Sequence, residues 1–519
     1  MSRCPSAARG LTLTPLGACG NVVPSGYFLH DERRDVRFLV DCGDDPDGDG
    51  LIDLPCEAAA LAFVVITHGH LDHIGGLPVL VRRGYRGSIY LTAPTKMLAE
   101  LSLRDSARHE ERRAQPRFSV RDVQQVLRQL VVIDARAGGL PEALPGDARI
   151  RALFQPNGHI VGSCQVLLEW DAADRTRRIL FSGDLGTGHG VLRAPFAPPL
   201  DIDVAVIEAT YGDRPRSHQS GERRRRQLAG ALEAGWRRGG PIVVPSFAIG
   251  RLQDLLLDLQ ILHIQQPRFF DEIDVQVVGG LGLRVSQQYA NVLTGSQAPL
   301  WRGPDLAAGF GTDDDDVLKA LLTSSLTTTA PTTTLPASHA HHRRLWREVT
   351  LDEVRLAPRC LVLVGGGMGA GPAEKVFGRM TTMPGATVLF AGFCAPTTIG
   401  GQLLSRKKRI RFSDGRHRRV DFTTEKLEGY SAHADRNGLV AWAVARHPSR
   451  CEQAPVAKAF LVTHGDDRAR RSLADAIEEA AAKTDHAITA TLPRKGHPID
   501  LERQKPRAAC RGLRCRGRL

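Results

Sequence analysis

The chain has 519 residues, enough for about three to four domains at roughly 150 residues each, or for fewer large ones. Its hydrophobic fraction of 42% and charged fraction of 24% match ordinary globular usage and exclude wholesale disorder, and no apolar run approaches the roughly 18 residues of a membrane span. Lys+Arg 69 against Asp+Glu 57 leaves a net charge of +12, which favours polyanionic partners without naming one.

The first residues carry Arg3 and Arg9 but no continuous apolar segment before the turn-rich stretch 15–25, so no signal peptide is expected. Ten cysteines are scattered without a C-x-x-C pair, which argues against a zinc knuckle or a disulfide framework and for a reducing, cytoplasmic compartment. Residues 38–40 and 61–66 are short apolar runs that stop abruptly at polar residues. They read as buried strands with functional groups at their ends. Further strand-like runs follow at 88–91, 166–169, 179–181, 204–207, 242–244, 361–364, 387–390 and 459–462, with helical patterns such as 252–259 and 473–481 between them. The mixture predicts an α/β (α+β) chain of stacked sheets and helices. Basic residues cluster at Arg223 to Arg226, at Arg406, Lys407, Lys408, Arg409 and Arg411, and in the tail 501–519, which is nearly free of apolar residues and reads as disordered. Residues 303–344 contain Asp313 to Asp316, a Ser/Thr/Pro-rich stretch, and His339, His341 and His342; they read as a flexible surface insertion.

The strongest signal is Thr67-His68-Gly69-His70-Leu71-Asp72-His73-Ile74-Gly75-Gly76, directly after an apolar run. In an extended stretch, residues i and i+2 point to one side, so His68 and His70 can grip one ion together. Asp72 and His73, past the bend, can face a second ion. Imidazole and carboxylate ligands suit zinc.

H-x-H-x-D-H after an apolar strand resembles the metallo-β-lactamase superfamily, whose remaining motifs follow in order. Asp41 matches the early aspartate that orients the metal-binding loop, His159 the third-motif histidine, and Asp184 the bridging aspartate. Beyond them, Glu208-Ala209-Thr210-Tyr211-Gly212 resembles motif A of the β-CASP nucleases, and Pro245-Ser246-Phe247-Ala248-Ile249-Gly250-Arg251 resembles a further segment of that family. Ser431-Ala432-His433-Ala434-Asp435 matches motif B, and Thr463-His464-Gly465-Asp466 matches motif C. The wording looks most like bacterial relatives of the mRNA cleavage-and-polyadenylation endonuclease and covers roughly residues 11 to 498.

The resemblance implies an αββα metallo-β-lactamase sandwich from 1–208 and 431–500, with an inserted β-CASP domain at 209–430. It implies two zinc ions per chain, with manganese or iron as alternatives. His68, His70 and His159 would hold one ion and Asp72, His73 and His464 the other, with Asp184 bridging. Two ions about 3.5–4 Å apart make hydroxide available near neutral pH. His433 would act as general acid and Glu208 would orient it and raise its pKa. A histidine in motif C accompanies RNA-cleaving members, so the implied partner is RNA, single-stranded by preference; a homodimer is also compatible, and no membrane is implicated. Gly365, Gly366 and Gly367 offer backbone amides for phosphate or form a plain strand–helix turn. Arg251 is a second phosphate or RNA-binding candidate. At 397–401 the family's usual arginine is missing, and the 406–411 cluster either substitutes for it or is a solvated surface. The rival readings are a single-stranded DNA nuclease, a non-catalytic RNA-binding homologue, and a small-molecule hydrolase of the same fold.

Overall fold

Side-chain alternation along the early strands sorts apolar residues into two cores. In the strand Val36–Cys42, Phe38 and Val40 face one way and Leu39 the other; in Phe63–Val65, Phe63 and Val65 face one way and Val64 the other. A one-residue slip would exchange the two sets. Since each fully buried large apolar side chain contributes roughly 1.5–3 kcal/mol, the register is strongly fixed. The computed structural model describes residues 10–44, 52–188, 192, 195–199, 201–216, 220–311, 315, 345–392, 394, 398–445, 455–484 and 488–502. Residues 316–344, with the three histidines expected in a loop, and 503–519 of the basic tail lie outside these.

The first sheet runs Ile499–Asp500, Leu11–Pro15, Gly26–Asp31, Val36–Cys42, Phe63–Val65, Ser88–Leu91, Leu130–Val132. The second runs Thr489–Thr491, Ala457–Thr463, Ile202–Glu208, Thr176–Phe181, Cys164–Asp171, Asp147–Pro156, Glu142–Leu144. Phe38, Val40, Phe63 and Val65 of the first meet Phe154, Val166, Phe181 and Val206 of the second in one core. Outside the first sheet, Leu80, Leu103 and Val126 close a second core from three helices. Outside the second, Leu439 and Leu473 of the helices Arg436–Ala443 and Asp467–Ala482 do the same. The result is the four-layer αββα sandwich that the sequence implied.

The chain leaves the second sheet at Glu208 and re-enters it at Ala457. The returning strand lies parallel and directly beside the departing one, in a register that sets Thr463 opposite Glu208. Between these points, a third sheet of six parallel strands runs Trp346–Glu348, Asp274–Val278, Cys360–Gly365, Ile242–Ser246, Thr387–Phe390, Thr423–Lys426. Its strands are apolar on both faces because helices cover both. Leu228, Leu255 and Leu259 pack on one side, and Val376, Phe377 and Leu403 on the other. One place where the two lobes touch is between the sandwich's His159 loop and the helix Gly280–Leu293 of the third-sheet lobe: the Tyr289 hydroxyl accepts the Val161 amide at 3.3 Å. No helix among the described residues is long and apolar enough to cross a membrane.

The Arg223–Arg226 run is not wholly a surface charge. Arg224 is buried and forms a two-pronged pair with Asp258, with Nε–Oδ2 at 2.6 Å and Nη2–Oδ1 at 2.9 Å, and the Tyr430 hydroxyl donates to the same carboxylate at 2.8 Å. The helix phase turns this arginine inward, and the pair ties the residue preceding Ser431 to the third-sheet lobe.

Candidate metal centre

The chain bends at Gly69 and His70, and His70, itself in an extended conformation, is the N-cap of the short helix Leu71–Ile74 that carries Asp72 and His73. The bend splits the four side chains between two groups of atoms. His70 Nδ1 lies 3.2 Å from both His68 Nε2 and His159 Nε2, and Asp184 Oδ2 lies 3.5 Å from each of those Nε2 atoms. One proton cannot serve both contacts of His70 Nδ1. A tetrahedron of donors around an ion at about 2.0–2.1 Å has edges of about 3.3 Å, which is this spacing. The second group is Asp72 Oδ2, His73 Nε2, His464 Nε2 and Asp184 Oδ1, with separations of 3.5–3.8 Å. Both Asp184 oxygens, His73 Nε2 and His464 Nε2 are buried with no hydrogen-bond partner. Buried polar atoms are otherwise almost always paired. Donor chemistry, spacing and these orphaned atoms together fit divalent cations.

Three of the five cage imidazoles, His68, His73 and His464, are tied from behind. Asp41 accepts from the amide and hydroxyl of Thr67 at 2.8 and 2.9 Å and from His73 Nδ1 at 2.8 Å. With its proton given to Asp41, the Thr67 hydroxyl oxygen accepts from His68 Nδ1 at 3.2 Å. Thr210 Oγ1 donates to the His464 carbonyl at 3.3 Å and accepts from His464 Nδ1 at 3.1 Å. These contacts leave the Nε2 lone pairs of all three rings facing the cages. Burial pushes His68 and His159 well below the usual imidazole range, toward the neutral form that ligates. Burial opposes charge on His73 and His464 as well, but Asp184 and its neighbouring carboxylates outweigh it. Burial would raise Asp184, yet His464, His73 and the other rings hold it well below the carboxylate range.

Beside the cages, His433 Nδ1 lies 3.1 Å from Glu208 Oε1 and 3.2 Å from Oε2, while Nε2 is 3.9 Å from Asp184 Oδ2. Glu208 also accepts the amides of Leu185 at 2.8 Å and Thr210 at 3.1 Å, so its carboxylate is fixed. Burial pushes His433 down, but Glu208 and Asp184 more than offset it and bring it up to about 9.

Close backbone packing makes this convergence possible. A Cβ on Gly186 would fall 2.0 Å from the Gly158 carbonyl oxygen, so the loops bearing Asp184 and His159 meet with no room for a side chain. Asn157 bridges them, donating to the Ser182 carbonyl at 2.8 Å. The aspartates that follow the two late histidines have a structural task. Asp435 caps the helix Arg436–Ala443 by accepting the Gly438 amide, and Asp466 caps Asp467–Ala482 by accepting the Ala469 amide, each at 2.8 Å.

Of the two readings of the glycine loop, the backbone hydrogen bonds favour the strand–helix turn. Gly365, Gly366 and Gly367 do lie at the C-terminal end of a third-sheet strand. However, the amides of Gly366 and Gly367 both donate to the Ser246 carbonyl, at 3.0 and 3.1 Å, so they are not free for an anion. Arg251 is different: it is buried, its Nε has no partner, and its Nη1 reaches Asp254 only at 3.5 Å. Residues that sequence reasoning passed over are Thr67 and Thr210, each adjacent to a motif residue or inside motif A, and Asn157. A hydroxyl or amide beside a ligand histidine was the available signal.

Sandwich and cages together define a metal-dependent hydrolase. Residues 36–235 match the profile of the beta-lactamase superfamily domain, and residues 418–489 match that of the Zn-dependent metallo-hydrolase RNA specificity domain, together about half of the chain. The chain is 28% identical over 444 residues to the ribonuclease TTHA0252 of Thermus thermophilus, covering 83% of this chain and 90% of that protein. It is 26% identical over 478 residues to transcription termination factor FttA of Methanothermobacter thermautotrophicus, covering 90% and 68%. With cleavage and polyadenylation specificity factor 73 of Drosophila melanogaster it shares 24% over 505 residues, covering 95% and 65%. The chain belongs to the β-CASP ribonuclease family of the metallo-β-lactamase superfamily.

Proposed function

We propose that this chain is a zinc-dependent ribonuclease that hydrolyses phosphodiester bonds of single-stranded RNA, leaving 5′-phosphate and 3′-hydroxyl ends. The observation that carries the reading is the pair of donor cages sharing Asp184, with a carboxylate-held histidine directly beside them. His68, His70, His159 and Asp184 would hold one cation; Asp72, His73, His464 and Asp184 would hold a second. When bound, two such ions lower the pKa of water and stabilise negative charge developing on phosphoryl oxygens. The ligand set suits zinc, and manganese or iron are the alternatives.

The chain's own residues supply the other half of the chemistry. A 3′-oxygen leaving a phosphodiester needs a proton. His433 Nε2 faces the cages while Nδ1 is held by Glu208, so the ring presents its proton to the leaving oxygen and is not free to rotate away. Cations on Asp184 would cancel that carboxylate's pull on the imidazole, leaving Glu208 as the group that keeps it charged. Arg251, with its unused guanidinium N–H, suits a backbone phosphate in the cleft between the lobes.

The reading is tested by incubating end-labelled RNA and single-stranded DNA of one sequence with a preparation whose metal content is measured. The expected result is chelator-sensitive cleavage of RNA in preference to DNA, with about two divalent ions per chain. Stoichiometric metal with no cleavage of either polymer would support the non-catalytic alternative.

A further inference from the structure

Phe247 is the one exposed Phe, Tyr or Trp among the described residues, at 47%. It stands outside all five apolar cores. A lone exposed apolar side chain is ordinary on a protein surface. Its position is what distinguishes this one. Phe247 sits on the loop between the strand Ile242–Ser246 and the helix Arg251–Gln265, at the C-terminal edge of the parallel third sheet. Ligands of such sheets gather at this edge.

The loop is rigid and lies against the metal centre. The Phe247 carbonyl accepts the Leu252 amide at 3.2 Å, and the Ala248 carbonyl accepts Gln253 Nε2 at 3.1 Å. Ser246 is pinned by the two glycine amides described above. On the other side, a Cβ on Gly250 would come within 3.0 Å of Ile160, the neighbour of His159. Four residues after the ring comes Arg251, more than nine-tenths buried, with its Nε unpartnered. Burial pushes this guanidinium below its usual pKa and pushes the carboxyl of Asp254 above its own. Asp254 touches the guanidinium only through Nη1, at 3.5 Å, which leaves Nε open to an anion.

We propose that Phe247 is a stacking platform for one nucleobase of the substrate, next to a backbone phosphate taken by Arg251. This rests on the ribonuclease reading and deepens it. A ring face accepts any base, so the platform selects for an unstacked strand and not for a sequence.

The test measures binding and turnover separately. A single-stranded oligoribonucleotide containing 2-aminopurine is titrated into chelator-treated protein, and fluorescence quenching reports stacking. For Phe247→Ala, affinity is expected to fall by about ten-fold and the quenching to disappear, whereas Phe247→Trp retains both. Alanine binding and quenching like the unaltered protein would overturn the platform. In the metal-loaded enzyme, kcat/KM on the oligonucleotide should fall about ten-fold, far more than on bis(p-nitrophenyl) phosphate, which has no base to stack. Equal losses on both substrates would mark Phe247 as merely structural. If the unaltered protein quenches 2-aminopurine but cleaves no RNA, the ribonuclease reading fails while the platform stands.

Discussion

The loops at the strand ends of the sandwich and those at the strand ends of the third sheet both gather polar groups, yet the fold treats the two sets differently. In the sandwich, Asp184, His73 and His464 present buried atoms with no protein partner, while Asp41 and Thr210 hold the rings from behind. In the third sheet, the glycine loop looks receptive in sequence, but the Ser246 carbonyl already takes its amides. A ligand site is marked by what the surrounding structure leaves unsatisfied. By that measure the third sheet contributes Arg251, and the glycines shape a turn.

Four substitutions would break or sharpen this contrast. Asp184→Asn touches both cages at once; cleavage is expected to fall more than about a thousand-fold, with loss of metal measured by elemental analysis on the same sample. A variant that keeps its full metal content would remove the shared-ligand assignment. His433→Ala leaves both cages intact, so metal content should hold while kcat drops by about 10²–10⁴. Full activity there would eliminate the acid. Asp41→Asn alters only the support behind His73 and Thr67, and metal affinity from competition with a chelator is expected to weaken by about 10–100-fold. Gly366→Ala should change cleavage by less than about two-fold, since its amide serves the turn, while the φ of 115° makes alanine cost about 1–3 kcal/mol, read as a lower thermal midpoint. A large rise in KM for RNA with this last variant would restore the phosphate role of the loop.

Much of the site was legible because side-chain chemistry is written locally. His68, His70, Asp72 and His73 are neighbours, and their division between two cages follows from a bend that leads into one helical turn. His433 and His464 were legible only through motif resemblance; no local pattern says that the strand ending at Thr463 lies beside the one ending at Glu208. The two readings of Gly366 and Gly367, phosphate loop or plain turn, could not be separated for the opposite reason, since nothing in a glycine run reveals which carbonyl its amides will meet. The strand Asp274–Val278 went unnoticed because Gln276 interrupts it. That side chain is fully buried and exchanges two hydrogen bonds with the Arg355 backbone, at 3.0 and 2.8 Å, a long-range pairing that no periodicity displays. Buried apolar runs such as Cys360–Gly365 posed no such difficulty, being covered on both faces.

The strand Ile499–Asp500 pairs with Leu11–Pro15, and Arg33 grips Glu502 with a two-pronged contact, the closer at 2.6 Å. The strand Leu11–Pro15, paired on one side with Gly26–Asp31, thus gains its second neighbour only from residues 499–500. A polypeptide cut before residue 433 keeps every donor of the first cage but lacks both His433 and the His464 of the second.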